Sequence, residues 1–362
     1  MKTKKGLSII LALMLMLSAL AGCGSKSQPE PAPADNPSQA GNPSQASTED
    51  AGLTEKIELT FAHSQQGTSE PGMAMQAFAD KVKEDSNGMI EITVYPGSQL
   101  GGERDEMEGL SMGTIDMAYI SAGVIENYVP AAGIFNLPFI FDDYDHAQKV
   151  LSDETILGTL GEGLAANNIN LLTCLVQGNR YMYSTKAVNM GDLSTLKGLK
   201  IRVPEAPMAT GIWSSVGSNP TAVPWSEVYT AMSTKIVEAF EVHVYAVLME
   251  NLQETFDYAY LTNHQTSVSG VMISTKTWEG LPAAAQKIIT DNLPYLIEVN
   301  AENIISAEEG QLQALRDAGI EVVEVTPEQK EAMKEACADL QNSWLSSTEN
   351  AKELYDIVQS LR

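Results

Sequence analysis

From residue 57 onward, two hydrophobic periods alternate along the chain. Residues 57–62 and 90–95 set apolar and β-branched side chains at a period of two, which predicts strands. Between them, Ser69 and Pro71 open an amphipathic stretch that stops at Asn87-Gly88, the start and stop signals of a helix. Residues 103–112, ended by Gly113, predict a second helix, and 115–120 a short buried strand. Further strands are predicted over 169–176, 180–184, 199–203, 236–242, 258–261, 268–274 and 320–325. Helices are predicted over 145–166, 208–216 and 225–234. A long helical pattern over 281–318, interrupted near Pro294, precedes a helical tail from Pro327. Helices alternating with strands give an α/β class with a mostly parallel sheet, in which 180–184 crosses between lobes.

The beginning of the chain follows another pattern. Lys2, Lys4 and Lys5 precede an uncharged run over residues 6–20. That run falls short of the ~20 residues that span a bilayer. A basic start, a short apolar run and small residues after it read as a secretory signal over 1–22. Leu20-Ala21-Gly22-Cys23 resembles the bacterial lipoprotein box, which implies lipid on Cys23 and anchorage to the outer face of the membrane. Residues 24–53 contain no Val, Ile, Phe, Tyr or Trp and are rich in Pro, Ser, Gln, Asn, Ala and Gly. Such a segment cannot offset its ordering entropy, so 23–53 is expected to be a disordered tether reaching roughly 30 Å. The length that remains favours two lobes. Residues 54–178 are expected to form the first part of lobe I and 179–261 the main part of lobe II. Residues 262–362 supply returning strands, a long connecting helix and C-terminal helices shared by both.

A formal charge of −25 argues against nucleic acid and against adsorption to anionic lipid. Any anion site in such a field must carry its own cations. Cys174 lies in an apolar run and reads as a core thiol, Cys337 lies on a late helix, and a disulfide between them is left open. The four histidines, His63, His146, His243 and His264, lack metal-ligand spacing, and there is no CxxC, HExxH, GxSxG or phosphate loop. No catalytic residue, metal or cofactor is therefore expected, and an extracellular enzyme is the weakest reading.

A helix–turn–strand unit recurs. Residues 107–119 turn at Gly113 and enter a strand with Asp116 and Ala118; residues 228–240 turn at Lys235 and enter one with Glu238 and Ala239. These read as equivalent elements of two lobes facing each other over a cleft. The competing reading is that any two α/β units look alike over so short a span.

Six stretches are more specific. They are Tyr95-Pro96-Gly97-Ser98-Gln99-Leu100-Gly101-Gly102-Glu103-Arg104, Gly113-Thr114-Ile115-Asp116-Met117-Ala118, Leu137-Pro138-Phe139, Leu196-Lys197-Gly198-Leu199-Lys200-Ile201-Arg202-Val203-Pro204, Ser226-Glu227-Val228-Tyr229-Thr230-Ala231-Met232 and Thr262-Asn263-His264. In order and spacing, over about residues 57–345, the chain resembles the solute-binding subunits of tripartite ATP-independent periplasmic (TRAP) transporters, the dicarboxylate-binding-protein-like family. The resemblance implies a two-lobe, periplasmic-binding-protein-like α/β fold with a long connecting helix and a ligand cleft that closes. It implies an organic acid as ligand and the small and large integral membrane subunits of a TRAP transporter as partners. A ligand sensor for a membrane receptor kinase needs the same fold and site, and stays open as an alternative.

The resemblance also implies that Arg202 forms a salt bridge with the ligand carboxylate. A guanidinium offers a flat bidentate fork and a permanent charge, and the end of a strand is where α/β folds bind ligands. The competing role is a structural ion pair. Arg180 matches a second family arginine, with a lobe-bridging ion pair as its alternative. Trp225 stands where the family usually has Phe and either covers the ligand or fills core. Ser64 is expected to offer a hydroxyl, and Glu205 matches a lining position. Where the family commonly reads Asp-Gly-Gln-Glu-Asn-Pro, this chain has Glu238-Ala239-Phe240-Glu241-Val242-His243. Val242 thus replaces a ligand-binding Asn, and Ile120 stands where some members that bind polyhydroxylated acids have a carboxylate. A ligand hydroxyl against either would lose hydrogen bonds at ~1–3 kcal/mol each. The expected ligand is a monocarboxylate with an apolar or aromatic body. His243 either donates one hydrogen bond or is structural.

Overall fold

The computed structural model describes residues 53–362. The expected signal, the lipidation of Cys23 and the tether up to residue 52 lie outside the described residues. Leu53 already packs against the first core.

Nine strands build one mixed sheet: β1 Ile57–His63, β2 Ile90–Tyr95, β3 Met117–Ser121, β4 Ile169–Ser184, β5 Lys200–Val203, β6 Asn219–Ala222, β7 Ala239–Val242, β8 Tyr258–Ser274 and β9 Glu321–Glu324. Their order is β2-β1-β3-β8-β4-β7-β5-β6, with β9 added to β8. The outer pairs β1–β2, β1–β3, β5–β6, β5–β7 and β8–β9 are parallel. The central pairs β3–β8, β4–β8 and β4–β7 are antiparallel. The sheet is therefore mixed. β4 and β8, each predicted as two separate strands, are continuous and run through both lobes. The polar, glycine-bearing Gln177-Gly178-Asn179 segment hides this continuity from a hydrophobic pattern. There the β4–β8 register shifts between Val176 and Gly178 and again between Arg180 and Met182, so both strands bend where they pass from lobe to lobe.

Local chemistry accounts for the helix boundaries. Ser69 caps the helix Glu70–Asp85 by accepting from the Gly72 amide, and Asn87 and Gly88, both at positive φ, end it. The predicted helix over 145–166 is two, Tyr144–Val150 and Glu154–Ala165, because the Asp153 carboxylate accepts from the Thr155 and Ile156 amides and starts a new helix. The long pattern breaks at Asn292 into Ala283–Asp291 and the 25-residue helix Leu293–Asp317, with Pro294 in its first turn. Strand β6, from Asn219-Pro220-Thr221-Ala222, had no apolar alternation to predict it.

The helix–turn–strand units match bond for bond. Gly113, Thr114 and Ile115 donate to Leu110, Gly109 and Gly109, while Lys235, Ile236 and Val237 donate to Met232, Ala231 and Ala231. Each unit leads into a strand beside the central pair, β3 next to β8 and β7 next to β4.

Three apolar clusters form among the described residues. One lies on the Phe61, Phe78 and Met117 side of lobe I, one around Tyr183, Phe240 and Phe256 in lobe II, and the largest runs from lobe I under the Pro207–Ser215 helix to the C-terminal tail. The tail touches both lobes: Trp344 Nε1 donates to the Pro130 carbonyl at 3.2 Å, and buried Cys337 approaches the Ile212 carbonyl. Cys174 and Cys337, whose pairing was left open, are both free and buried. On the opposite side the long helix receives both lobes through Glu308, which accepts from Tyr144 Oη at 3.3 Å and Tyr181 Oη at 2.9 Å.

Phe240 is fully buried, stacked on Tyr183 at 4.9 Å with Phe256 at its edge. Phe240→Ala is expected to destabilise the fold by about 3–5 kcal/mol, measured as a shift of the urea midpoint.

Candidate functional site

The parallel strands of both lobes point their C-terminal ends at one another, and a cavity of about 360 Å³ lies between them. Ser64 follows β1, Ser121 ends β3, Pro204 follows β5, and Val242 and His243 finish β7; all of them line this cavity. The two equivalent helical segments also start at its wall. Glu103 and Arg104 open one, and Trp225 opens the other as a single 3-10 turn before the helix Val228–Ser233.

Arg202 is 2% exposed and lines the cavity. Its Nε and Nη2 donate to the Val223 carbonyl at 2.9 and 2.7 Å, and its guanidinium carbon lies 5.6 Å from the Trp225 ring centroid. Among the described residues no carboxylate lies within ion-pair distance of it. Two of five N–H donors are engaged, so three remain for a ligand. Burial lowers its pKa to about 10, so it remains charged at neutral pH.

Arg180 lines the same cavity and is paired inside the protein. Its Nε and Nη2 form a two-pronged pair with the fully buried Glu241 carboxylate, Nη2 also reaches the Glu241 carbonyl at 3.0 Å, and Nη1 reaches Ser267 Oγ at 3.2 Å. His264 Nε2 stands 3.4 Å from the same carboxylate, and its Nδ1 meets Thr262 Oγ1 at 2.8 Å. Burial alone would raise the Glu241 pKa. The Arg180 charge and the adjacent His264 imidazole outweigh it and hold the group at about 2.

Trp225 is half-buried against Arg202, and Val242 is buried beside them. His243 is 3% exposed, its ring stacks on Tyr245 at 5.1 Å, and neither ring nitrogen has a protein partner. Burial first, and the Arg180 charge second, push its pKa well below the ordinary value, so the imidazole is neutral. Ser64 Oγ donates to Glu103 Oε1 at 3.4 Å. Glu205 faces Arg104 across the cleft at 3.5 Å, and its carbonyl accepts from Asn127 at 2.9 Å. A further cross-lobe bond, Gln66 Nε2 to Glu250 Oε1 at 2.8 Å, joins the other rim.

Arg202, Arg180, Trp225, Ser64, Glu205, Val242 and His243 are thus brought together. Ile120 is not. It is fully buried in the large apolar cluster with Ala62 and Ala118, because alternate residues of β3 face that core and only the last residue, Ser121, reaches the cavity. Sequence reasoning missed Glu103, which accepts from the Ser121 amide at 3.1 Å and Ser121 Oγ at 2.6 Å. The recurring unit carried the signal: Glu103 opens the first helix where Trp225 opens the second.

The sequence profile described as "Bacterial extracellular solute-binding protein, family 7" matches residues 61–347. The chain belongs to this family. It is 28% identical over 294 residues to the C4-dicarboxylate-binding periplasmic protein DctP of Rhodobacter capsulatus, covering 78% of this chain and 85% of that one. It is 28% identical over 244 residues to the sialic acid-binding periplasmic protein SiaP of Vibrio cholerae, covering 67% and 75%. A TRAP periplasmic solute-binding protein of Haemophilus influenzae, solved with bound L-gulonate, superposes with a TM-score of 0.80 at 27% identity over 85% of this chain and all of that one. The family comprises extracytoplasmic receptors for small organic acids that work with the membrane subunits of TRAP transporters. No helix among the described residues is long and apolar enough to cross a membrane.

Glu241→Gln leaves Arg180 buried without its counter-charge, so a loss of about 3–5 kcal/mol at pH 7 is expected in urea denaturation. The folded carboxyl titrates below its unfolded counterpart. Wild-type stability from this group is therefore full above about pH 4.5 and is lost as pH falls toward 2, and the gap between the two proteins should shrink over that window.

Proposed function

We propose that this chain is the lipid-anchored receptor of a TRAP-type secondary transporter. In this reading it captures a small monocarboxylate on Arg202 and presents the closed form to the membrane subunits. The buried guanidinium without an internal carboxylate supports it. A desolvated charge is costly, and a ligand carboxylate meeting the three remaining donors removes that cost. Arg180, matched by Glu241, positions strand β7 and is not a second anion clamp, so one carboxylate is favoured over two. Val242, Val124, Ala246 and the Trp225 ring give the cavity an apolar wall for the ligand body. Ile120 lies in the core and contributes nothing to that wall. Lipid on Cys23 would hold the receptor at the membrane surface.

Closure follows from contacts made to both lobes at once. Gly123, at the start of the lobe I helix Ala122–Ile125, lies against Ala206 of lobe II so closely that a Cβ would stand 2.7 Å from the Ala206 Cβ.

Two measurements test this. Arg202→Met keeps the packing under Trp225 and should weaken binding of any organic acid that stabilises the wild type by at least about a hundredfold, read by thermal shift and calorimetry. Retained binding would remove Arg202 from its role. Gly123→Val should hold the lobes apart, weakening the same acid by about tenfold or more and giving a larger radius of gyration with ligand in small-angle scattering.

A further inference from the structure

The two rims of the cleft are built differently. At one, the Arg104–Glu205 ion pair and the Asn127 bond to the Glu205 carbonyl are open to solvent. At the other, residues 64–69, which leave β1 in lobe I, meet the helix Val244–Met249 of lobe II at three points. Tyr245 Oη donates to Gln65 Oε1 at 3.3 Å, Thr68 Oγ1 to Met249 Sδ at 3.7 Å, and Gln66 Nε2 to Glu250 Oε1 at 2.8 Å. Tyr245 and Met249 stand one turn apart and Glu250 caps the helix, so one short helix meets the whole loop.

The innermost contact is sealed. Gln65 is 8% exposed, Tyr245 is 3% exposed, and the Tyr245 ring stacks on His243. From there Gln65 Nε2 donates to Ser64 Oγ at 3.2 Å, and Ser64 Oγ donates to Glu103 Oε1 at 3.4 Å. One line of hydrogen bonds therefore runs from a lobe II helix to the start of a lobe I helix.

Both halves are fixed within their own lobes. The Gly97 amide donates to the Gln65 carbonyl at 2.7 Å, and the Ser69 amide and hydroxyl donate to the Gln66 carbonyl at 3.0 and 2.7 Å. Gly72 makes room for that carbonyl, because a Cβ there would stand 2.1 Å from it. On the other side Val244, Tyr245, Ala246 and Val247 are buried in the lobe II cluster. Two surfaces already shaped for each other lose little freedom when they meet.

We propose that this rim is a latch: residues 64–69 and the helix Val244–Met249 hold the lobes together by themselves, so that the closed arrangement is populated before any ligand arrives. Tyr245 and Glu250 are its positioning residues. A larger closed fraction strengthens binding of every acid the cleft accepts by the same factor and selects none of them. The latch depends on the two-lobe fold and not on which group Arg202 receives.

The test uses the full chain without ligand. Nitroxides on Glu84→Cys in lobe I and Ser233→Cys in lobe II, both exposed and neither lining the cavity, report the distance between lobes by pulsed electron resonance. Cys23→Ser confines the labels to these sites, since Cys174 and Cys337 are buried. The wild type should show the distance set by this structure beside a longer one. Tyr245→Phe keeps the ring on His243 and should lower the short-to-long ratio about fivefold, the range of one hydrogen bond. Glu250→Ala, which removes a more exposed bond, should lower it about threefold, and Glu250→Gln, which keeps an oxygen for Gln66, should restore it. A wild type showing the long distance alone would overturn the latch. Ratios unchanged in Tyr245→Phe and Glu250→Ala would overturn it too, making the rim a permanent joint. Neither result bears on Arg202, whose role is tested by binding.

Discussion

A buried guanidinium without a carboxylate of its own is the constraint around which the cleft is organised. Strand β5 carries Arg202 to the sheet end, the Val223 carbonyl fixes the plane of its fork, and the Trp225 ring covers one face. The acidity of the rest of the chain makes this the more pointed. An acidic molecule repels an anion at long range, and only a desolvated cation at short range reverses that preference.

Arg180, unlike Arg202, is matched by a carboxylate of the protein. Strand β4 pairs Tyr181 with Val242 and Met182 with Glu241, so the Glu241 carboxylate falls within reach of the Arg180 fork, and His264 approaches it from β8. The charge is cancelled inside the protein, and what results is a rigid joint between the crossing strands and β7. Because β7 ends in Val242 and His243, that joint also sets one wall of the cavity.

The two lobes share one helix–turn–strand unit, and they differ where it meets the cavity. At equivalent helix starts one lobe offers a carboxylate, Glu103, and the other an indole, Trp225. The cavity therefore has an acceptor on one wall and an apolar plate on the other. The register shifts in β4 and β8 and the long helix, tied to Tyr144 and Tyr181 through Glu308, join the two sides through one sheet.

Most elements were legible in the chain because their causes are local: period-two strands such as β1 and β2, the Ser69 cap, the Gly113 turn, the proline before the long helix. An arginine near the end of a strand, two residues before a proline, was likewise expected at the crevice, and the structure has Arg202 lining the cavity. What distance in sequence conceals was decided by packing. Arg180 and Glu241 stand 61 residues apart, and nothing near either one announces the pair. Ile120 and Ser121 are neighbours, yet the pleat sends one into the core and leaves the other in the cavity. Residue types and periods along the chain determined most of the strands and helices and put an arginine near the end of β5. Only the tertiary arrangement decided which charges cancel one another and which are left without a counter-charge, because that depends on side chains meeting across strands that the sequence keeps far apart.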